Sequence, residues 1–151
     1  MHIPPYKNKN IPIIDTNNSR VPFVYFNNIN LTKNKIFISD VIGYETCFVP
    51  VTGTFSVNVG NLSVKKIGKR EKNVWDNDPE GIYIPLDEVA EIKCLTEKGE
   101  GFIAGAKYNQ KLKPFMVTQD EIDMVQYGSD DTKTHRKIKH ILGAKHHDKV
   151  G

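Results

Sequence analysis

Four side chains have the chemistry and the placement to contact a small ligand, namely Glu45, Arg70, Trp75 and Tyr83. A guanidinium such as that of Arg70 can grip a carboxylate through two parallel hydrogen bonds. Its structural alternative is to close its own loop by bonding carbonyls or the nearby aspartates. Glu45 could contact such a ligand through its carboxylate, and its alternative is a strand-end carboxylate that faces solvent or a backbone donor.

The two aromatic candidates also have structural alternatives. Tyr83 alternates with Ile82 and Ile84, so we expect its phenol to point into a barrel, either as an acid or as part of the core. The indole of Trp75 can stack on a ring or plug a barrel end.

The histidines add no catalytic centre that the sequence reveals. They stand at positions 2, 135, 140, 146 and 147, and neither His135 nor His140 has an obvious Ser or Cys partner. The run His146-His147-Asp148 resembles a metal-binding tail, but adjacent side chains diverge on a strand. We therefore expect adventitious binding of zinc or nickel there and no designed metal site.

The four candidates lie within a run of short strands between Glu45 and Pro85. An apolar stretch ends at Thr52-Gly53 and alternation resumes at Phe55, which predicts two strands around a tight turn. A polar crossing at 68–80 then leads to a short strand that proline stops. This order of elements is typical of a small antiparallel β-barrel.

The rest of the chain extends this all-β pattern on both sides. Residues 1–22 predict an N-terminal arm with a short edge strand at residues 11–14, and residues 23–110 predict the barrel. Residues 111–151 predict an extended linker, a capped helical turn at 119–123 and a strand at 133–142, for which a helix is the alternative. The core is expected to include these apolar residues in some alternation: Phe48, Val49, Val51, Phe55, Val57, Ile82, Ile84, Ile92, Phe102 and Ile103.

Composition and charge argue against several classes of protein. The net charge of +3 over 151 residues is weak evidence for a nucleic-acid partner. No apolar run suits a signal peptide or a membrane span, so we expect a cytoplasmic protein with neither a membrane nor a nucleic-acid partner. Cys47 and Cys94 lie in apolar strands and are expected to be small buried hydrophobes.

Three stretches, Glu45 to Gly53, Gly68-Lys69-Arg70 and Gly81 to Pro85, resemble the 5-deoxy-glucuronate isomerase family of bacterial inositol catabolism. The family pattern is a Glu before an apolar strand and Thr-Gly, then Gly-x-Arg, then an apolar strand that ends in proline. The resemblance continues into Lys113-Pro114-Phe115-Met116-Val117, which is similar to the linker between the family's two cupins. It reaches Thr134 to Leu142, which is similar to a strand of the second cupin.

The resemblance implies a cupin-type antiparallel β-barrel, or jelly roll, at 23–110 and a link to sugar-acid aldose–ketose isomerases. Residues 111–151 would then be the linker and the first strand of a missing or swapped second cupin. Family members are nearly twice as long and hold a divalent metal in that second cupin, on a Pro-Pro-His-x-His stretch with a later Glu and His. This chain has no such stretch, so the resemblance implies no cofactor here and carries over no catalytic residue. In the first barrel only Glu45 stands where a cupin ligand is expected.

Two functions remain open at this point. The chain is either an enzyme-family cupin, with Arg70 holding a sugar carboxylate and Tyr83, Glu45 or Trp75 beside the ring, or a non-catalytic module that binds a sugar or a protein. A small sugar epimerase is disfavoured, because such enzymes use a barrel-lining His and residues 21–108 contain none. We also expect a homo-oligomer, such as a homodimer, because a C-terminal strand without its sheet exposes unpaired backbone groups.

Overall fold

The computed structural model describes residues 7–17 and 20–151, so residues 1–6, 18 and 19 of the predicted arm lie outside the described part. This part contains eleven strands: β1 Val24–Thr32, β2 Ile36–Ser39, β3 Tyr44–Thr52, β4 Phe55–Val59, β5 Leu62–Ile67, β6 Gly81–Ile84, β7 Ala90–Cys94, β8 Lys98–Lys107, β9 Phe115–Val117, β10 Asp123–Tyr127 and β11 Arg136–His140. Two three-residue 3-10 turns, Gln119–Glu121 and Ala144–His146, are the helices of these ranges, and neither is long and apolar enough to cross a membrane.

Two antiparallel sheets pack face to face and form the barrel. One has five strands in the order β1-β8-β3-β6-β9, and the other has four in the order β2-β7-β4-β5. Alternation along each strand puts one set of side chains inside, as Ile92 and Cys94 of β7 show. The rings of Phe48 and Phe55 meet edge to face across the two sheets, with centroids 5.2 Å apart. The predicted all-β architecture is therefore correct.

Seven of the ten residues predicted for the core are fully buried, namely Phe48, Phe55, Val57, Ile82, Ile84, Ile92 and Ile103. The prediction was wrong for the other three, Val49, Val51 and Phe102, because they are not on the inner face. Val49 pairs with Phe102 on the outer face of the five-stranded sheet, and Phe102 is 36% exposed. Val51 is the extra residue of a bulge, where the register skips from Pro50 to Thr52.

Two glycines allow the crossing loop to pass close to the turn that precedes β4. Gly53 has φ +81° and Gly68 has φ +97°, a region that L side chains rarely adopt. A Cβ on Gly68 would lie 2.4 Å from the carbonyl oxygen of Gly53. The Gly53 N–H donates to the carbonyl of Arg70 at 2.8 Å, so the backbone fixes where the loop begins.

The described residues of the predicted arm make one β-bridge to the sheet. Ile14 pairs with Phe26 of β1, and the N–H groups of Ile13 and Ile14 both donate to the Phe26 carbonyl, at 2.9 and 3.0 Å. Pro12 has no N–H with which to extend this ladder. The predicted edge strand is thus reduced to a single bridge.

The C-terminal region differs from its prediction in two respects. The strand expected at 133–142 is β11, and it is not left without a partner, because β10 pairs with it along five residues from Asp123–His140 to Tyr127–Arg136. The capped turn is shorter than expected and ends at Glu121, whose carboxylate accepts the Thr118 N–H at 2.9 Å and its hydroxyl at 3.0 Å. Beyond the hairpin, residues 141–151 return to the outer face of the five-stranded sheet.

Candidate functional site

Tyr83 and Glu45 lie on the outer face of the five-stranded sheet. In the ladder between β3 and β6, Phe48 pairs with Ile82 and Cys47 pairs with Tyr83. Since Phe48 and Ile82 are in the core, Tyr83 must face the other way. The prediction that its phenol points into the barrel was wrong, although Tyr83 is only 1% exposed.

A buried hydrogen bond joins these two side chains. The Tyr83 hydroxyl donates to Glu45 Oε2 at 2.5 Å, and the backbone N–H of Gly151 donates to the same oxygen at 3.1 Å. Hydrogen bonds to an ionised acceptor are the stronger kind. A cavity of about 260 Å³ opens beside the pair, with Ala104, Ala106 and Leu142 among its lining residues.

Two ionisable groups of this site, Tyr83 and Cys47, have raised pKa values, which disfavours their action as nucleophiles. Burial, together with the hydrogen bond and the charge of Glu45, raises the pKa of Tyr83 above its usual range, so the phenol stays protonated and acts as a donor. Burial raises the pKa of the Cys47 thiol to about 12, so it is not a thiolate at neutral pH. The arrangement can therefore hold a polar group in place, but it offers no activated nucleophile.

Two rings from the C-terminal part of the chain, those of Phe115 and His146, stack with the Tyr83 ring in a column. The Tyr83 and Phe115 centroids are 5.1 Å apart, and those of Phe115 and His146 are 5.6 Å apart, both pairs stacked. His146 is 1% exposed, and its Nδ1 has no hydrogen-bond partner among the described residues. His147, by contrast, is exposed. The two histidines of the supposed metal tail thus point to different environments.

Sequence reasoning missed this column because its members come from β6, β9 and a turn more than sixty residues beyond β6. Nothing in the local pattern around Phe115 or His146 indicates a mutual contact. The one available signal was the aromatic residue directly after Pro114 in an otherwise polar linker.

Arg70 and Trp75 lie in the crossing loop at 68–80, apart from the Glu45–Tyr83 pair. The Arg70 Nε–H donates to the carbonyl of Asn77 at 2.9 Å, so the loop-closing alternative for Arg70 is correct. Asp76 Oδ2 accepts the N–H groups of Lys72 and Asn73, at 2.7 and 3.1 Å, and rigidifies the tip. Trp75 is 90% exposed and does not plug the barrel.

The four candidates therefore form two separate pairs. Glu45 and Tyr83 share a cavity on the sheet face, and neither Arg70 nor Trp75 lines it. Within the described part of the chain, no hydrogen bond or ion pair links Arg70 or Trp75 to Glu45 or Tyr83.

The two facing antiparallel sheets with their apolar interior form a cupin-type jelly roll, an all-β fold, and the comparison with solved structures agrees. The chain superposes on an IolB-like protein from Salmonella typhimurium LT2 with a TM-score of 0.81 and 21% identity, over 91% of this chain and 51% of that one. The chain belongs to the KduI/IolB family, whose model matches residues 3–150. The resemblance inferred from the sequence is confirmed.

Curated relatives share the name 5-deoxy-glucuronate isomerase. The chain is 28% identical over 130 residues to the protein of this name from Listeria monocytogenes, which covers 85% of this chain and 46% of the relative. It is 28% identical over 85 residues to the protein from Bacillus subtilis strain 168, over 56% of this chain and 31% of the relative. The chain thus spans about half the length of the Listeria relative.

The divalent metal implied by the family resemblance does not fit the residues described here. Residues 7–17 and 20–151 contain no group of three or more His, Cys, Asp or Glu side chains that could hold a metal ion. Glu45, which stands where a cupin ligand is expected, faces away from the core and is bonded to Tyr83. No chemical step is therefore assigned to a metal in this barrel.

Proposed function

We propose that this chain is a cupin that takes part in sugar-acid isomerisation in cytoplasmic carbohydrate catabolism without catalysing the reaction. It does not isomerise a sugar by itself. The observation that carries this proposal is the outward orientation of Glu45. The residue expected to begin a metal site is held by Tyr83 and the backbone of Gly151 instead. The family and the names of its relatives support the substrate class.

The chemistry of an aldose–ketose isomerisation supports the same proposal. The reaction needs a base that moves a proton and a Lewis acid or donor that stabilises the enediolate. The Glu45 carboxylate is engaged by two donors, and the space beside it is about 260 Å³. Apolar side chains such as Phe48, Ile82 and Ile92 fill the interior of the barrel.

The test is an assay of the purified protein on 5-deoxy-glucuronate with Mn, Fe, Ni and Zn added in turn. We expect no turnover above background with any metal. Turnover near ~1 s⁻¹, an ordinary enzyme rate, that is lost in Glu45→Gln would overturn the proposal. Metal content measured after chelation and reloading separates a true site from adventitious ions.

A second candidate function is the binding of a sugar acid or a protein by the crossing loop. The loop presents Trp75 almost fully exposed on a backbone fixed by Asp76 and by the bond from Arg70 to Asn77. An exposed indole can stack on the face of a sugar ring, and a fixed backbone reduces the entropy lost when it does so. A guanidinium nearby suits the carboxylate of such a ligand.

The single tryptophan makes this second candidate directly measurable. We expect glucuronate to change the Trp75 emission with a Kd of about 1 mM or weaker, typical of an exposed site. Arg70→Gln should weaken the response, whereas Lys65→Gln, at an exposed position of β5 outside the loop, should leave it unchanged. An emission spectrum that stays constant to ~20 mM glucuronate, well above that Kd, would exclude a sugar-acid site here.

We further propose that the protein self-associates through the β10–β11 hairpin. Val125 and Ile138 pair directly, with Tyr127 on the same face, and all three are exposed. A two-stranded ribbon with an uncovered apolar face and two free edges is marginal alone. Packing against a second copy would cover both features.

A further inference from the structure

A second cavity, of about 540 Å³, lies between the linker before β9 and the C-terminal turn. It is about twice the volume of the cavity beside Glu45 and Tyr83. None of the sequence candidates lines it. Its lining combines apolar and charged side chains: Lys111, Leu112, Lys113, Pro114, Phe115, Asp148 and Lys149.

The floor of this cavity is apolar and fixed. Leu112, Pro114 and Phe115 are half-buried, and stacking on Tyr83 and His146 holds the Phe115 ring. Phe115 therefore lines the cavity with a ring held in one orientation. Aromatic rings pair favourably in offset-stacked or edge-to-face arrangements.

The rim of the cavity is cationic. Lys111 is neutralised by Glu88, at 2.7 Å from Nζ to Oε1. Lys113 and Lys149 form no ion pair within 4 Å with any residue in the described ranges. The pKa of the Glu121 carboxyl is lowered chiefly by the hydrogen bond from the Thr118 backbone, and Lys149 is only a minor contributor. Asp148 is the one carboxylate in the lining. Two unneutralised lysines against one aspartate leave a net charge of about +1, which matches a monoanion.

The Lys149 side chain is also positioned before any ligand arrives. Its ammonium lies 5.7 Å from the centroid of the Phe115 ring, and its N–H donates to the carbonyl of His146 at 2.9 Å. A cation held over an aromatic ring places charge next to the apolar floor. Few rearrangements are then needed to bind a molecule that is charged at one end and apolar at the other.

We propose that this cavity binds a monocarboxylate with an apolar ring, the ring lying on Leu112, Pro114 and Phe115 and the carboxylate bonding Lys113 and Lys149. A volume of 540 Å³ is within the range of small-molecule sites. The lining has no arginine fork for a phosphate, and its net charge of about +1 suits a dianion poorly. The proposal is independent of both candidate functions, which concern other residues.

The test uses benzoate as the probe, followed by amide chemical shifts and calorimetry on the full chain. Benzoate should shift the amides of residues 111–115 and 148–149. Four other ligands should bind more weakly, because each lacks either the apolar ring or the single negative charge. They are benzyl alcohol, acetate, glucuronate and inorganic phosphate. Lys113→Met and Lys149→Met should each lower the affinity for benzoate by roughly 3- to 5-fold, and Lys65→Met should not.

Three results would overturn the proposal. The first is the absence of amide shifts at 111–115 with ~20 mM benzoate, a concentration well above the expected millimolar Kd. The second is equal binding of phosphate and benzoate. The third is an unchanged affinity for benzoate in a folded double variant that carries Lys113→Met and Lys149→Met. Shift mapping on the unmodified protein keeps the proposal testable if a variant fails to fold. Glucuronate that shifts only the loop at 68–80 would support the second candidate function and leave this site to be judged on benzoate alone.

Discussion

At the scale of single residues, the pair of Glu45 and Tyr83 is a polar contact on a sheet face that the chain has covered. Burying a carboxylate is costly unless it is hydrogen-bonded, and here one oxygen accepts two donors. The sequence marked both residues as candidates but could not show that they meet, because they come from strands 38 positions apart. Their pairing depends on the register of β3 with β6.

Removing the phenol hydroxyl should destabilise the protein measurably. Tyr83→Phe leaves Glu45 with one donor fewer in a buried site, and we expect a loss of about 1–3 kcal/mol in the free energy of unfolding. Tyr127→Phe, at an exposed position, is the matched control and should stay within about 0.5 kcal/mol. Equal effects of the two variants in urea unfolding followed by circular dichroism would contradict the role given to the pair.

Stability should fall at alkaline pH, partly through Cys47. The folded thiol has a pKa of about 12, above its unfolded value. The unfolded state therefore loses this proton first, and the contribution of Cys47 is complete below about pH 8.5 and declines as the pH rises toward 12. Unfolding free energies measured from pH 7 to 11 should fall less steeply for Cys47→Ala, and a slope identical to that of the unmodified protein would show that Cys47 does not contribute.

At the scale of elements, the alternation of apolar and polar residues predicted where the strands of the barrel lie, but it did not predict which face of β6 points into the core. All four residues of β6 are buried, because the core covers one face and Phe115 with the C-terminal segment covers the other. A strand buried on both faces has no polar side to reveal its orientation. The opposite situation hid β10: its hairpin with β11 is largely exposed on both faces, and its apolar residues are too few to stand out from the polar residues around them in the sequence.

The crossing of the loop over the turn before β4 should depend on Gly68. In Gly68→Ala a Cβ would lie 2.4 Å from the Gly53 carbonyl oxygen, in addition to the strain of φ +97°. Gly43→Ala carries comparable strain, at φ +80°, but has no atom within 4 Å. We expect the Gly68 variant to lose at least ~1 kcal/mol more than the Gly43 variant, a typical strain increment. Thermal unfolding that ranks them in the reverse order would contradict the crowding argument.

At the scale of the whole molecule, the fold could be predicted from its strand rhythm and family resemblance, whereas the covering of its outer face could not. The contacts of Ile141, His146 and Gly151 with the five-stranded sheet join positions that no periodicity relates. The β10–β11 hairpin remains outside this covering, and its apolar side chains Val125, Tyr127 and Ile138 stay exposed.

Self-association through the hairpin can be tested by charge. Ile138→Lys places a cation on the exposed face opposite Val125, whereas Gln126→Lys makes the same change on the other face. We expect light scattering at ~50 μM, near where weak homodimers form, to show a dimer that Ile138→Lys weakens and Gln126→Lys preserves. A strict monomer at that concentration, or equal effects of both changes, would refute the interface.

The pairing of β1 with β8 also means that β1 is synthesised well before the strand with which it pairs. Val24 pairs with Ala106 across the ladder, so β1 leaves the ribosome 82 residues before the last residue it needs. At about 5–20 residues per second, this nine-residue strand waits roughly 4–16 s before its partner is complete. During that interval its open edge is exposed to other nascent chains, and the chain is then most vulnerable to aggregation.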